Sequence, residues 1–236
     1  MPIKLNPRLE RCAGHVTRGG TALDVGTDHA YLACFLIESG LSRRVIASDI
    51  ADGPLSAARQ TVARQGLSDR IAVYKSDGLK DIPAEVLGEV TDVIIAGMGG
   101  ELIAEILSHR EGLPQNVNLI LQPNSRAAVL RGFLYGNGFD IISESAVRDG
   151  RFTYTVLNAM HRGEAADCSA LGRTVGRLDP RDPVSREYLE NEASRLRSAA
   201  KGMASSSSQE QQQSAEELLS LAAQIEEYIA KALSKG

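Results

Sequence analysis

Five short, β-branched apolar runs punctuate the first half of the chain: Thr21–Val25, Arg44–Ser48, Ile71–Tyr74, Asp92–Ala96 and Asn118–Gln122. They read as continuous apolar strands, the pattern of a parallel sheet buried on both faces. Segments of helical period lie between them at about 30–40, 53–66, 100–110 and 125–136. Asp52-Gly53-Pro54 puts proline in a first turn, and Asn124-Ser125 offers a helix cap. This alternation predicts a doubly wound α/β fold. After the fifth run, Phe139–Val147 and Phe152–Leu157 flank Arg148-Asp149-Gly150-Arg151, which predicts an antiparallel hairpin with a loop of about four residues.

The pattern changes near residue 162. Leu189, Ala193, Leu196, Ala200 and Met203 step by four and three, as do Leu218, Ala222, Ile225, Ile229 and Ala232. Ser205–Gln213, between them, is a polar low-complexity run unable to join a core. The expectation is an α/β domain over residues 1–161, including an amino-terminal helix, and a coiled-coil-like helical hairpin over 162–236 with a flexible Ser/Gln connection at about 204–214. Helices of about three heptads are marginal alone, so they should pack on each other or on the first domain.

Composition narrows the function classes. With 236 residues, 43% hydrophobic and 24% charged, the chain reads as globular rather than disordered. Cys12, Cys34 and Cys168 show no C-x-x-C spacing, so no metal site and no disulfide framework is expected. No run approaches the roughly 20 apolar residues of a membrane span, and a cytoplasmic protein without a membrane partner is expected. The 26 bases and 30 acids give a net charge of −4, split as −2 for residues 1–161 and −2 for 162–236. Neither half is basic, so a polyanion would need a local grip. Lys4, Arg8, Arg11 and Arg18 face only one acid, Glu10, over the first 18 residues. Aromatics at 4%, with no Trp, disfavour a stacking platform for single strands.

Ligands of doubly wound sheets sit beyond the carboxyl ends of the strands, so the strand ends are the places to look. The first reads Asp24-Val-Gly-Thr-Asp-His-Ala-Tyr-Leu32. A dinucleotide loop would need G-x-G-x-x-G for its pyrophosphate, and Asp28 would repel that group. Asp28 instead suits a cationic ligand such as S-adenosylmethionine, or else simply caps the next helix. Asp49 ends the second strand, 23 residues after Gly26, where a carboxylate accepts from ribose hydroxyls. Asp77-Gly78 ends the third, placed for an adenine amino group or for a bare turn. Ala96-Gly97-Met98 after the fourth leaves room for a flat substrate, and Asn124 after the fifth presents an amide to a base edge or caps a helix.

Five parallel strands followed by an antiparallel hairpin resemble the sheet of class I, Rossmann-like S-adenosylmethionine-dependent methyltransferases. Asp24–Leu32, Asp52-Gly53-Pro54, Ile95-Ala-Gly-Met-Gly-Gly100 and Leu121-Gln-Pro-Asn124, in this order, resemble the bacterial tRNA adenine-N1 methyltransferases acting at position 22. The resemblance covers about residues 4–160, and the helical tail matches that family's architecture. Asp49 stands where relatives can have Glu, and Ala33 where Pro is frequent.

The resemblance implies S-adenosylmethionine as cofactor and tRNA as partner. Candidate cofactor residues are Asp24, Gly26, Asp28 and His29 on the first loop, Asp49 and Ile50 on the second, Asp77 and Gly78 on the third, and Ala96 and Gly97 on the fourth. Candidate substrate residues are Arg8 and Arg11 near the amino terminus, Tyr31, Met98, and the stretch Gln122, Pro123, Asn124 and Arg126. Asp28 and Asn124 are the catalytic candidates, set to stabilise a base that becomes cationic on methylation. Arg131, Arg148 and Arg151 are further anchor candidates, and Arg186, Arg195 and Arg197 can present charge from the tail. The residues alone also admit a methyltransferase of another substrate or a non-catalytic adaptor. They leave a monomer and a weak dimer both open.

Overall fold

A computed structural model describes residues 3–166, 168–204 and 208–234. Seven strands form one sheet in the order β3-β2-β1-β4-β5-β7-β6. The strands are β1 (Gly20–Val25), β2 (Ser42–Asp49), β3 (Ile71–Lys75), β4 (Asp92–Gly99), β5 (Asn118–Ser125), β6 (Phe139–Asp149) and β7 (Phe152–His161). The first five pair in parallel, and β7 joins antiparallel to both β5 and β6. Chain order reverses between β1 and β4, so their carboxyl ends open a crevice at the switch point.

Alternate residues of the central strands feed two cores. Leu23, Val25, Val93, Ile95, Leu119 and Leu121 pack against α4 (Ala84–Leu87), α5 (Gly100–Ser108) and α6 (Ala127–Gly136). Ala22, Val45, Ala47, Ile94 and Ile120 pack against α1 (Pro7–Ala13), α2 (Tyr31–Glu38) and α3 (Asp52–Arg64). All six residues of β1 are buried, which is why these runs lack polar alternation. Each buried Leu, Ile or Val contributes about 1.5–3 kcal/mol.

The hairpin is tighter than its sequence suggests. Pairing continues to Asp149↔Phe152, leaving a two-residue loop, Gly150-Arg151, in place of four. Gly150 has φ 59° at the first loop position, as a primed turn requires.

The tail comprises α7 (Ala170–Val175), α8 (Pro183–Ala204) and α9 (Gln209–Leu233), with α8 and α9 packed side by side. Leu189, Ala193, Leu196, Ala200, Ala222, Ile225 and Ile229 are buried as the stepping predicts, whereas Met203 is 37% exposed. Their cluster includes Ala146 of β6 and Leu178, so the hairpin packs on the α/β domain as well as on itself. Gln209–Gln213, read as part of the flexible connection, instead forms the first turns of α9. Residues 205–207 of that connection lie outside the described residues.

A buried ion pair between α6 and β6 also holds the start of the tail. The side chains of Arg131 and Glu144 are 1% and 0% exposed and meet at 2.6 Å. Arg131 also donates to the carbonyls of Arg173 (2.7 Å) and Thr174 (2.9 Å), while Glu144 accepts from the Arg177 amide (3.0 Å). Arg131 is thus structural, not a nucleic-acid anchor. No helix of the described residues is long and apolar enough to cross a membrane.

Candidate active site

A cleft of about 410 Å³ opens at the switch point. Asp24, Gly26, Thr27, Asp28, His29, Ala96, Gly97, Gln122 and Asn124 line it from the strand ends, Tyr31 and Leu32 from α2, and Asn6, Arg8 and Leu9 from the amino terminus. The loops approach closely because glycine permits it. Gly26 has φ 80°, and a Cβ there would fall 2.1 Å from the Met98 methyl. Gly97 has φ 83° and faces the cleft from β4.

Neither capping alternative holds. The residue capping α2 is Ala30 (φ 55°), and the one capping α6 is Arg126 (φ 58°), both left-handed and without a side-chain cap. These are the two non-glycine residues with positive φ among those described. Such backbone costs about 1–3 kcal/mol and concentrates at functional sites. Asp28 and Asn124 are therefore released from capping and face the cleft instead.

Two buried aspartates on the same sheet have opposite environments. Asp92, at the amino end of β4, accepts from the Thr17 amide and hydroxyl (both 2.9 Å), from Thr91 (2.6 Å) and from Asn118 (2.7 Å). Asp24, at the carboxyl end of β1, is 7% exposed and forms no ion pair among the described residues. Burial pushes its carboxyl up to about 6; Thr27 eases this by hydrogen bonding, and Asp49 adds repulsion. An under-compensated carboxylate at the floor of a cleft fits a ligand bearing positive charge.

At the mouth, His29 Nε2 lies 3.6 Å from the Asp28 carboxylate. His29 also stacks on Tyr31, with centroids 5.2 Å apart and planes at 15°. Asp28 is 79% exposed at its side chain. On the opposite wall, Asn124 donates to the Gly97 carbonyl (2.6 Å), and the Gly97 amide donates to Gln122 (3.1 Å).

Other expected residues stand apart. Asp49 accepts from the Ala51 amide at 2.8 Å and lies near Asp24. Ile50 beside it is 62% exposed. Asp77 is turned outward onto Lys80 at 2.6 Å, and Gly78 packs near Ile106. Met98 covers Gly26 from outside the cleft lining. Pro123 and Arg126 border a neighbouring cleft of about 320 Å³ together with Tyr154, Tyr188 and Arg195.

Most of the candidate arginines have partners within the protein. Arg8, expected to reach for phosphates, is folded inward onto Asp149 (2.7 Å), Gln122 (3.2 Å) and Asn124 (2.7 Å). Arg11 is exposed but lines a separate surface cleft with Gly14 and His15. Arg148 pairs with Glu187, Arg151 stacks on Phe152 at 4.8 Å, and Arg197 pairs with Glu226 at 2.6 Å. Arg195 pairs with Glu192 at 2.7 Å, and Arg186 donates to the Pro180 carbonyl at 3.5 Å. Sequence reasoning missed Asn6, Leu9, Thr27 and Leu32 in the lining. Asn6-Pro7 is a capping signature that could have located α1, but not its position over the cleft. Among the described residues no group of three His, Cys, Asp or Glu is placed to hold a metal.

A family model described as tRNA (adenine(22)-N(1))-methyltransferase matches residues 22–227. The Bacillus subtilis tRNA (adenine(22)-N(1))-methyltransferase is 36% identical over 177 residues, covering 75% of this chain and 73% of that protein. The crystal structure of the B. subtilis M1A22 tRNA methyltransferase superposes with a TM-score of 0.84 at 30% identity, over 94% of this chain and 99% of that one. A Streptococcus pneumoniae protein solved in complex with S-adenosyl-L-methionine gives a TM-score of 0.78 at 31% identity, over 92% and 97% of the two chains. With the sheet order and the strand-end loops, these similarities lead to one conclusion: the chain belongs to the tRNA (adenine(22)-N(1))-methyltransferase family.

Proposed function

We propose that the cleft at the β1/β4 switch point is where this protein runs its family's reaction, with Asp24 at the cofactor end and Asp28 at the base end. The reaction itself is transfer of a methyl group from S-adenosylmethionine to N1 of adenine 22 in tRNA. The observation that carries the placement is Asp24, a buried carboxylate with no cation partner among the described residues, in a glycine-walled cleft.

Bound S-adenosylmethionine supplies a methyl already activated on a sulfonium. Asp24 and the Gly26 and Gly97 backbones would hold its charged end, and Asp49, which neighbours Asp24, would take the ribose hydroxyls. Ile50 offers exposed apolar surface for the adenine ring. Asp77, whose Oδ2 is paired with Lys80, would offer that ring's amino group its other oxygen.

Adenine N1 attacks through an in-plane lone pair and loses no proton, so the site requires no general base. Positioning does most of the work, an effect worth up to roughly 7–11 kcal/mol. N1 lies on the Watson–Crick edge, so a paired target must be extruded first. His29 and Tyr31 form a stacked shelf at the mouth where such a base can lie. Asp28 then faces the positive charge that methylation leaves on it. Replacing Asp28 by Asn should lower kcat roughly 10–100-fold, with a smaller effect on cofactor affinity, measured by single-turnover methylation beside calorimetry.

Residues 1–161 act as the catalytic unit in this reading and 162–236 as its hairpin appendage. Arg11 and Arg126, both exposed although Arg126 lies 3.9 Å from Glu101, would meet the tRNA backbone. With a net charge of −4 that grip should be salt-sensitive. In this reading the protein works on tRNA in the cytoplasm. Tritium transfer from labelled cofactor to a tRNA transcript, followed by nucleoside mapping, tests the reading. N1-methyladenosine at position 22, lost when A22 is replaced by G, is expected. Label at another nucleotide, or cofactor binding without transfer, overturns it.

A further inference from the structure

We infer that Arg8 is a positioning residue of the methyl-transfer site, holding the amides of Gln122 and Asn124 rather than the phosphates of tRNA. The inference rests on the placement of the reaction in the switch-point cleft.

Arg8 projects from α1 into the junction of three elements. Its Nε donates to Asp149 on the hairpin at 2.7 Å, and its Nη1 donates to Gln122 Oε1 (3.2 Å) and Asn124 Oδ1 (2.7 Å) on β5. The guanidinium lies 4.7 Å from the centroid of the Tyr154 ring, and its side chain is 22% exposed. Asp149 neutralises the charge locally. A phosphate anchor has the opposite character, with donors turned outward and charge uncompensated.

The directions of these bonds matter. Guanidinium groups only donate, so Arg8 draws both amide oxygens toward itself and leaves both amide nitrogens pointing away. Asn124 Nδ2 then donates to the Gly97 carbonyl at 2.6 Å, and Gln122 Nε2 to the Pro123 carbonyl (3.0 Å) and Asn124 Oδ1 (3.2 Å). The Gly97 amide donates to Gln122 Oε1 at 3.1 Å. Gly97 is thereby gripped at both its amide and its carbonyl by the two amides that Arg8 orients. Its left-handed backbone is part of the cleft wall. A small misplacement of such a wall translates into a large loss of rate, on the order of 100-fold per ångström.

The test compares Arg8→Ala, Arg8→Lys and Asp149→Asn with wild type. N1-methyladenosine formation is read under saturating tRNA, and tRNA affinity is read by filter binding across a salt series. The side-chain amide resonances of Asn124 and Gln122 are followed in 15N-labelled protein, and thermal melts control for folding. Arg8→Ala should lower kcat 10–100-fold, leave tRNA affinity and its salt slope within about twofold of wild type, and shift both amide resonances. Arg8→Lys should recover little, because one ammonium cannot serve three acceptors in a planar fork. Asp149→Asn should lower kcat in the same direction and leave tRNA binding no tighter, although it removes a negative charge. It also carries the test should Arg8→Ala fail to fold.

Weaker tRNA binding with a salt slope shallower by about one and an intact kcat would make Arg8 a phosphate anchor and overturn the inference. A lower melting temperature with kcat and amide resonances unchanged would make it merely structural, and also overturn it. Failure of the wild-type protein to methylate A22 is a separate result that would instead overturn the functional reading.

Discussion

Glu144→Gln is expected to cost roughly 3–5 kcal/mol of stability, the penalty of stranding a buried charge. For a chain of this length that is a fall of roughly 10 °C in Tm. Burial opposes charge on Arg131, but the Glu144 carboxylate beside it prevails and holds the guanidinium ionised above its ordinary range. Burial likewise pushes the neighbouring Tyr188 phenol up to about 12, so Tyr188 stays neutral and offers a stranded Arg131 no replacement anion. The change also weakens the link between β6 and the Arg173–Arg177 segment, because Arg131 holds two carbonyls there and Glu144 one amide. The double variant Arg131→Met/Glu144→Leu should lose less than the sum of the single changes, since it removes both charges together. Thermal melts of the two single variants and the double variant check this. Additive losses would show that the pair is not coupled as its geometry requires.

Asp24→Asn should uncouple stability from function. The Asp24 carboxyl is raised on folding from 3.8 to about 6. A raised carboxyl binds its proton more tightly in the folded state, so its stabilising contribution is complete below about pH 4 and lost as pH rises through 6. Above pH 6 the ligand-free protein carries the cost of a buried, unpaired charge. Asparagine removes that cost, so the variant should melt higher than wild type at pH 7.5 by on the order of 1–3 kcal/mol. Its affinity for S-adenosylmethionine should fall roughly 100-fold, because a charge-assisted contact to the cationic end is gone. Wild-type affinity should weaken as pH falls below 6, while the variant's stays flat. Calorimetric titration between pH 5 and 8 measures both curves. Equal affinity for wild type and variant at pH 7.5 would remove Asp24 from the cofactor site.

That Asp24, Gly26 and Gly97 line the switch-point cleft is legible in the sequence, because they lie at the ends of buried strands, where doubly wound sheets open their crevice. The same logic reached Asp49 and Asp77, yet Asp77 is turned outward onto Lys80. A strand end specifies where a side chain starts but not which neighbour captures it. The arginines show the same limit. In sequence, Arg8, Arg131 and Arg148 are interchangeable positive charges. In the structure one donates to two side-chain amide oxygens, one is buried against Glu144, and one pairs with Glu187. Thr27 sits inside a motif already singled out, whereas Asn6 and Leu9 reach the cleft only because α1 folds across it.

By itself the sequence determined the local and periodic properties of this protein: the buried parallel strands, the reversal into a hairpin, the stepped apolar seams of the tail and the loops at the strand ends. These follow from period, turn chemistry and burial, which act over a few residues at a time. The tertiary structure alone decided which charges are spent on partners far away in sequence. It paired Arg8 with Asp149 and set Arg131 against Glu144, yet among the described residues it brought Asp24 no cation. Charge pairing depends on distance and on exclusion of water, and only the closed fold sets either.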